Sequence, residues 1–317
     1  MKKSLIILAL LFIGTGLKAQ QVAQQSQYML NKISLNPAFA GVEEGIPITF
    51  GFRRQWVGID DAPVTQTLSV NAYTGKFMGI GLSLFNDVTG PTRRTGMNIS
   101  FARHFEVSDE KNSWLSFGLA GTVYQYLFDQ SKLSIDDPND PAITGAFYNE
   151  FTPDAMFGVY YYSDLYYVGF SVSNLLETKA DLFNLDGSRS NQVARTLYVM
   201  AAYTAEMDEN FSIEPSFLFK KTKGAPYQLD INARIIFQKK FWGGVSYRLN
   251  DAIVGLMGLD LGIIELGYSY DYSLSDISKF SSGSHELILT VRLPSPLLKD
   301  DDYRGGRRKP IRYKRRR

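Results

Sequence analysis

Residue types that could carry out catalysis or bind a metal are scarce in this 317-residue chain. It has no cysteine and two histidines, which excludes a thiolate site, a disulfide and a multi-histidine metal centre. It also has no Gly-x-Ser-x-Gly, His-Glu-x-x-His or phosphate-binding glycine loop. His104 lies in the same alternating polar set as Ser100, and His285 begins the last predicted strand beside Ser284. Neither position indicates a nucleophile paired with a base. We therefore predict a protein that is not an enzyme, with no catalytic residue, cofactor or metal.

One acidic stretch, within residues 131–150, could supply oxygen ligands. Asp136, Asp137 and Asp140 are close in sequence, and Ca²⁺ prefers several oxygen ligands. The spacing is not that of an EF-hand, and Pro138 interrupts the run. We interpret the stretch as a cluster of Asx and proline turns on a solvated loop.

The dominant pattern in the chain is an alternation of apolar and polar residues with a period of two, which is typical of β-strands. In 227–237, for example, apolar side chains alternate with Gln228, Asp230, Asn232 and Arg234. Most alternating segments are about ten residues long, as membrane-spanning strands are, whereas strands of soluble proteins average about 5–6 residues. The pattern predicts fourteen strands: 46–54, 62–74, 76–86, 91–106, 113–128, 154–162, 165–175, 192–205, 210–220, 226–238, 240–249, 252–261, 263–272 and 284–293.

The polar phase of these segments also carries charge. It includes Glu214, Asp230, Arg234, Arg248, Asp260, Glu265, Asp271, Glu286 and Arg292. A membrane barrel places apolar side chains on lipid and polar ones in its lumen. We therefore predict an all-β protein: a transmembrane antiparallel β-barrel of about 14 strands, with charged side chains pointing inward.

The charge distribution divides the chain into four parts. Residues 1–19 have a basic start and a short apolar run, and we predict a cleaved signal peptide. Residues 20–45 are polar without alternation, and we predict a periplasmic or lumen segment that could plug the barrel. The barrel follows at 46–293. The tail 294–317 is strongly basic, with ten basic and three acidic residues from 299 onward, and we predict a disordered periplasmic tail.

The predicted links between strands alternate in length. The longest ones, 129–153, 176–191 and 273–283, all belong to one set, and no link of the other set exceeds six residues. Outer-membrane barrels have short periplasmic turns and long extracellular loops. The pattern predicts that both termini are periplasmic and that 131–150 lies outside the cell.

Four sequence blocks, taken in order, resemble the PorP/SprF family. They are Ser26-Gln27-Tyr28-Met29 with Asn36-Pro37-Ala38-Phe39-Ala40-Gly41; Arg53-Arg54-Gln55-Trp56-Val57-Gly58 with Ala62-Pro63 and Thr65; Gly79-Ile80-Gly81 with Asn86-Asp87 and Gly90; and Tyr270-Asp271-Tyr272-Ser273 with Gly283-Ser284-His285-Glu286. The resemblance covers roughly residues 21–293. It implies an outer-membrane protein of Bacteroidota associated with the type IX secretion system and with gliding. It also implies that members can hold the C-terminal domain of an exported protein at the cell surface.

The resemblance and the rim position of the second block give ten candidate partner-binding residues: Gln27, Tyr28, Asn36, Pro37, Phe39, Arg54, Gln55, Trp56, Asn86 and Asp87. The implied partners are type IX secretion components, an exported surface protein or a peptidoglycan-associated protein, together with outer-membrane lipid and no nucleic acid. The alternative is a porin or a small-solute channel on the same barrel. An open lumen lined by charges favours the channel, whereas a lumen plugged by 21–41 favours protein interaction.

Overall fold

The computed structural model describes residues 24–110, 112–133, 147–180 and 191–295, and these form a closed antiparallel β-barrel of fourteen strands. The strands are β1 (Ile46–Arg54), β2 (Val64–Gly75), β3 (Met78–Thr89), β4 (Thr92–Ser108), β5 (Ser113–Asp129), β6 (Phe147–Tyr162), β7 (Tyr166–Ser173), β8 (Thr196–Tyr203), β9 (Phe211–Thr222), β10 (Tyr227–Phe237), β11 (Phe241–Arg248), β12 (Ala252–Asp260), β13 (Ile264–Ser273) and β14 (Ser284–Leu293). Each strand pairs with the next in sequence. The barrel closes where β1 pairs with β14, from Ile46 opposite Leu293 to Arg54 opposite His285.

The prediction of about fourteen barrel strands is confirmed, and each predicted segment overlaps one of these fourteen strands. The largest difference is at β6, which begins at Phe147 rather than at 154. Pairing with the long strand β5 continues through Pro153, which lies opposite Val123, up to Phe147 opposite Asp129. Neighbour pairing thus overrides the usual interruption of a strand by proline. The acidic residues 136–140, the predicted signal peptide and residues 296–317 of the tail lie outside the described residues.

The two faces of the barrel wall have opposite chemistry. On β1, Phe50 is 43% exposed on the outer face, whereas Thr49 and Arg53 are buried on the inner face. The same alternation continues around the barrel, with apolar side chains outside and small polar or charged ones inside. The predicted apolar outer face and charged lumen are confirmed, and this is the arrangement of a membrane barrel.

The two ends of the barrel differ in the length of their links. One end, here called the turn mouth, carries links 76–77, 109–112, 163–165, 204–210, 238–240 and 261–263. The other, the loop mouth, carries links 55–63, 90–91, 130–146, 174–195, 223–226, 249–251 and 274–283. A two-residue strand, Ala205–Glu206, pairs with β9 at the turn mouth, and Lys179–Ala180 pairs with Asn191–Gln192 at the loop mouth.

Helical structure in the described residues consists of single 3₁₀ turns. Three lie before β1, at Tyr28–Leu30, Lys32–Ser34 and Pro37–Phe39, and two lie at the loop mouth, at Gln130–Lys132 and Asp276–Lys279. In the part of the chain that the structure describes, no helix has the length and apolar character needed to cross a membrane. The first three turns belong to residues 24–45, here called the plug, which lie inside the barrel.

Candidate functional site: the lumen plug and the loop mouth

The plug crosses the whole lumen from the loop mouth to the turn mouth. At its start, the Gln24 amide donates hydrogen bonds to Asp251 at 3.1 Å and to Gln228 at 3.3 Å, both at the loop mouth. At its end, Gly45 lies against Leu293 at the turn mouth. The described chain therefore begins at one mouth and leaves the barrel, after β14, at the other. This differs from the expectation that both ends lie on one side, because the plug runs through the barrel rather than beside it.

A group of buried charges at the loop mouth holds the start of the plug. This ionic latch consists of Arg53, Arg248, Asp271 and Glu286. Arg53 pairs with Asp271 at 2.8 Å and with Glu286 at 3.1 Å, and Arg248 pairs with Asp271 at 3.0 Å. All four residues are at most 4% exposed. Buried charges are tolerated only when they are paired and hydrogen-bonded, and these four meet that condition together.

Ser26 of the plug sits at the centre of the ionic latch. Its hydroxyl donates to Asp271 at 2.7 Å and accepts hydrogen bonds from Arg53 and Arg248, each at 2.9 Å. The backbone amides of Ser26 and Gln27 donate to the two oxygens of the Glu286 carboxylate, each at 2.9 Å. The carboxylate thus replaces the backbone partners that this strand-free segment lacks.

Close packing against strand glycines holds the rest of the plug. A Cβ on Gly118 of β5 would overlap the backbone of Pro37 and Ala38, and one on Gly79 of β3 would overlap Ala40. Similarly, a Cβ on Gly158 of β6 would overlap the side-chain oxygen of Asn36, and one on Gly267 of β13 that of Gln27. These glycines face the lumen, and they are needed because only a residue without a side chain lets the plug approach the strand backbone so closely.

Asn36 is the main polar anchor of this second half. Its side-chain amide donates to the backbone oxygens of Val159 at 3.0 Å and Phe170 at 3.2 Å, which belong to β6 and β7. Its side-chain oxygen accepts from the Ala38 amide at 2.9 Å and so caps the 3₁₀ turn at Pro37–Phe39. One side chain therefore fixes both the local turn and its position in the lumen.

Aromatic and histidine side chains complete the packing near the turn mouth. The Phe39 ring meets Tyr160 edge to face, with centroids 5.4 Å apart. His104 Nε2 lies 3.0 Å from the Ala40 carbonyl oxygen, and its Nδ1 lies 3.1 Å from the Tyr162 hydroxyl. His104 is thus a buried structural residue of the lumen wall.

The opposite side of the loop mouth has a different character. There the guanidinium of Arg94 on β4 lies over the rings of Phe85, Tyr124 and Tyr126, at 5.2, 4.5 and 5.6 Å from their centroids. We call these four residues the aromatic wall. Within the described ranges, no carboxylate lies within 4 Å of Arg94, whereas Arg53, Arg234, Arg248 and Arg292 each have at least one. Cation–π contacts with these rings stabilise the charge of Arg94 in place of a carboxylate.

Loop 174–195 is tied to the neighbouring link by an exposed ion pair. Lys223 donates to Glu177 at 3.0 Å, and Arg195 lies 3.6 Å from the same carboxylate. The hydrogen bond from Lys223 and the two positive charges lower the pKa of Glu177 below its ordinary value. These contacts hold Glu177 and Arg195 beside link 223–226.

The ten predicted partner-binding residues fall in three places. Gln27, Tyr28, Asn36, Pro37 and Phe39 are brought together in the plug, but they are buried against the barrel and contact the wall. Arg54, Gln55 and Trp56 lie where β1 ends at the loop mouth. Asn86 faces outward on β3, whereas Asp87 faces the lumen and accepts a hydrogen bond from Thr65 at 2.5 Å.

At the rim, Trp56 adopts a positive φ of 45°, and its amide donates to Ser284 at 3.1 Å. Gln55 is buried and its amide donates to the Pro63 carbonyl at 2.9 Å, whereas Arg54 is exposed. At the rim, Arg54 and part of Trp56 are therefore accessible, whereas Gln55 is not.

Sequence reasoning missed the role of Ser26 and Arg53 in the latch, and it missed the aromatic wall. The signal that could have revealed the latch is the position of its residues in the apolar–polar alternation. Arg53, Asp271 and Glu286 all lie in the polar phase near strand ends of the loop mouth, within the blocks that carry the family resemblance. In the described part of the chain, no group of three His, Asp or Glu residues is arranged to hold a metal ion.

The sequence matches the family described as "Type IX secretion system membrane protein PorP/SprF" over residues 17–291. The chain belongs to the PorP/SprF family. The family and the fold are those of a membrane barrel of a secretion system rather than of a known class of enzyme. Among curated proteins, none matches the sequence.

Solved structures similar to this PorP/SprF protein are outer-membrane barrels. The CymD monoaromatic hydrocarbon channel is 13% identical with a TM-score of 0.48, and the match covers 85% of this chain and 93% of that one. Omp33 of Acinetobacter baumannii is 8% identical with a TM-score of 0.43, covering 80% and 100%. A FadL homologue of Pseudomonas aeruginosa is 11% identical with a TM-score of 0.40, covering 77% and 88%. Sequence identities and TM-scores this low say nothing about the activity of this chain.

Proposed function

We propose that this PorP/SprF barrel is a non-enzymatic outer-membrane component that docks the type IX apparatus or anchors an exported surface protein. The observation that carries the proposal is the filled lumen. The plug residues Tyr28, Asn36 and Ala38 are fully buried inside the barrel, and both halves of the plug are fixed to the wall. A barrel whose lumen is filled by a fixed plug can bind other proteins through its surfaces but has no open path for solutes.

The lumen charges fit this role better than that of a porin. Ion-selective pores need charged side chains that line an open path. Here the charged side chains pair with one another inside the barrel: Arg234 pairs with Glu214 at 2.5 Å, and Arg248 pairs with Asp230 at 3.1 Å. Charges neutralised in this way stabilise a closed interior.

A disulfide between the plug and the wall separates docking from transport. A Cβ on Gly81 would lie 3.5 Å from the Cβ of Ala40, a separation compatible with a disulfide, and the chain has no cysteine of its own. We expect the oxidised A40C/G81C variant to retain the partner at the cell surface and to show no conductance in planar bilayers. The single variants A40C and G81C serve as controls. Loss of partner retention on oxidation, restored by reduction, would contradict docking on a stationary plug.

We infer that the loop mouth faces the cell exterior and receives the partner, since the longest loops, the aromatic wall and Trp56 all lie there. Trp56→Ala should reduce surface retention of the exported protein while the barrel still inserts and migrates as a heat-modifiable band. Phe241→Ala, which removes an exposed aromatic side chain at the turn mouth, is the matched control. If Trp56→Ala instead prevents membrane insertion, the role of Trp56 is structural and it does not contact the partner.

The orientation has its own test. Protease added to intact cells should cleave within 131–150 and should leave an epitope at 300–317 protected. Surface exposure of that epitope would reverse the two mouths. Pull-down of the native complex from outer membranes would then identify the partner.

A further inference from the structure

The outer face of the barrel carries a groove across strands β1 to β6. Its volume is about 500 Å³, within the range of roughly 300–1,000 Å³ typical of small-molecule sites. The side chains that line it from the outside are Phe50, Leu68, Leu84, Met97, Val123 and Phe151. Three lumen-facing residues also border it, Thr67, Phe85 and Gly96, and alternation along a strand turns only their backbone toward this face. The groove is therefore an apolar depression in the membrane-facing wall.

A row of polar side chains borders the groove on the side of the loop mouth. The strand register places Gln66, Asn86, Thr95 and Gln125 side by side, one outward position above the apolar row Leu68, Leu84, Met97 and Val123. Asn86 donates to Gln66 at 3.2 Å, and Gln125 donates to Asn149 at 3.0 Å. Polar side chains on the outer face are costly in hydrocarbon, so this row marks where the lipid chains end and the headgroups begin.

Arg93 stands directly above this row. It faces outward on β4, is exposed, and its Nε donates to the Asn86 side-chain oxygen at 2.6 Å. That bond holds the guanidinium beside Asn86, which borders the groove, and leaves its two terminal nitrogens for another acceptor. No carboxylate of the described residues lies within 4 Å of it. A planar guanidinium with two free donors matches a phosphate group.

We propose that this groove is a binding site for a membrane lipid with a phosphate-bearing headgroup. An acyl chain lies along the apolar residues, and the phosphate accepts hydrogen bonds from Arg93 and the amides beside it. A lipid is favoured over a segment of a partner protein for two reasons. The groove lies in the wall that the bilayer covers, and the change from apolar to polar lining follows the order of chain and headgroup. This site is independent of the docking function proposed for the loop mouth.

The test uses the full barrel, refolded into detergent and incubated with dilauroyl phosphatidic acid, or with dilauroylglycerol as the phosphate-free lipid of equal chain length. Native mass spectrometry measures how many lipids stay bound as collision energy rises. We expect one retained phosphatidic acid and weaker retention of dilauroylglycerol. Arg93→Gln should weaken retention of phosphatidic acid about tenfold or more and leave that of dilauroylglycerol unchanged. Leu84→Trp, which fills the groove, should remove both.

Two matched variants keep the proposal falsifiable. Arg103→Gln removes an outward arginine at the other end of β4, and Ile253→Trp enlarges an outward residue on the far side of the barrel, so both should behave as wild type. If these controls lose as much lipid as the test variants, the lipid is only the general boundary layer and the site does not exist. Equal retention of both lipids by the wild type would also overturn it. Heat-modifiable migration confirms that each variant is folded.

Discussion

The two halves of the plug are held in the same lumen by different physical means. Residues 24–31 are fixed at the loop mouth by the ionic latch, whose contacts are charge-assisted hydrogen bonds to Ser26 and Gln27. Residues 36–42 are fixed toward the turn mouth by close packing on Gly79, Gly118 and Gly158. The first half depends on complementary charge, and the second depends on the absence of side chains.

This difference determines how each half can fail. Removing one member of the latch leaves other buried charges without partners, so the damage spreads through the network. Adding one methyl group in the second half creates a steric overlap that the backbone must absorb locally. The first failure is electrostatic and cooperative, whereas the second is steric and confined.

The largest effect is expected for Arg248→Met. This change removes a guanidinium that contacts Asp230, Asp271 and Ser26 and leaves two carboxylates less compensated. We expect the free energy of unfolding in urea to fall by about 3–5 kcal/mol. Arg103→Met, an exposed arginine outside the latch, should change it little. Equal losses in the two variants would show that the latch contributes nothing.

Gly118→Ala tests the packing half. Its Cβ would overlap Pro37 and Ala38, so we expect the free energy of unfolding to fall by about 1–3 kcal/mol. Gly121→Ala lies three residues further along β5, where a Cβ would meet no atom within 4 Å, and it should be neutral or stabilising. A loss at Gly121 as large as at Gly118 would indicate a general requirement for glycine in the strand.

Asn36→Ala should have a smaller effect on the same half. It removes the turn cap and two hydrogen bonds to β6 and β7 but leaves the glycine contacts in place. A decrease of about 1–2 kcal/mol in the free energy of unfolding is expected. Combined with Arg248→Met, the losses should add, since the two sites share no partner. Clear non-additivity would mean that the plug behaves as one unit.

Outside the plug, loop 174–195 should respond to pH. The lowered pKa of Glu177 means that its link to Lys223 is present above the ordinary glutamate range and is lost as pH falls through the lowered value. Limited proteolysis of this loop should therefore accelerate at acid pH. Glu177→Gln should cleave at the same fast rate at every pH; a wild-type rate that does not vary with pH would exclude the link.

The smallest effect on the barrel is expected from truncation after Leu298. The tail beyond it is a predicted electrostatic arm for an anionic periplasmic surface. The free energy of unfolding should be unchanged, whereas partner recovery should fall at low salt and converge with wild type at high salt, where exposed charges are screened. Unchanged recovery and secretion at both salt concentrations would leave the tail without a role.

Much of the barrel could be predicted because its chemistry is local. A period of two fixes which face of each strand is apolar, and strand length distinguishes a membrane barrel from a soluble sheet. The start of β6 was wrong because Pro153 and the polar residues before it have low strand propensity, and only pairing with β5 compensates for this. The candidate residues Tyr28, Asn36 and Phe39 were identified as a group in a segment that could plug the barrel, but the strands that they contact could not be predicted.

The sequence by itself determined the fourteen alternating segments, the inward charges and the family resemblance, since each of these depends on residue type and short-range spacing. Only the tertiary structure decided that the plug runs from the loop mouth to the turn mouth, that Ser26 bridges Arg53 and Arg248, and that Gly118 makes room for the backbone of Ala38. These contacts join residues tens to hundreds of positions apart, and no local pattern records which strand a strand-free segment will touch. These contacts depend on barrel closure, because only the closed barrel brings all fourteen strands around the plug.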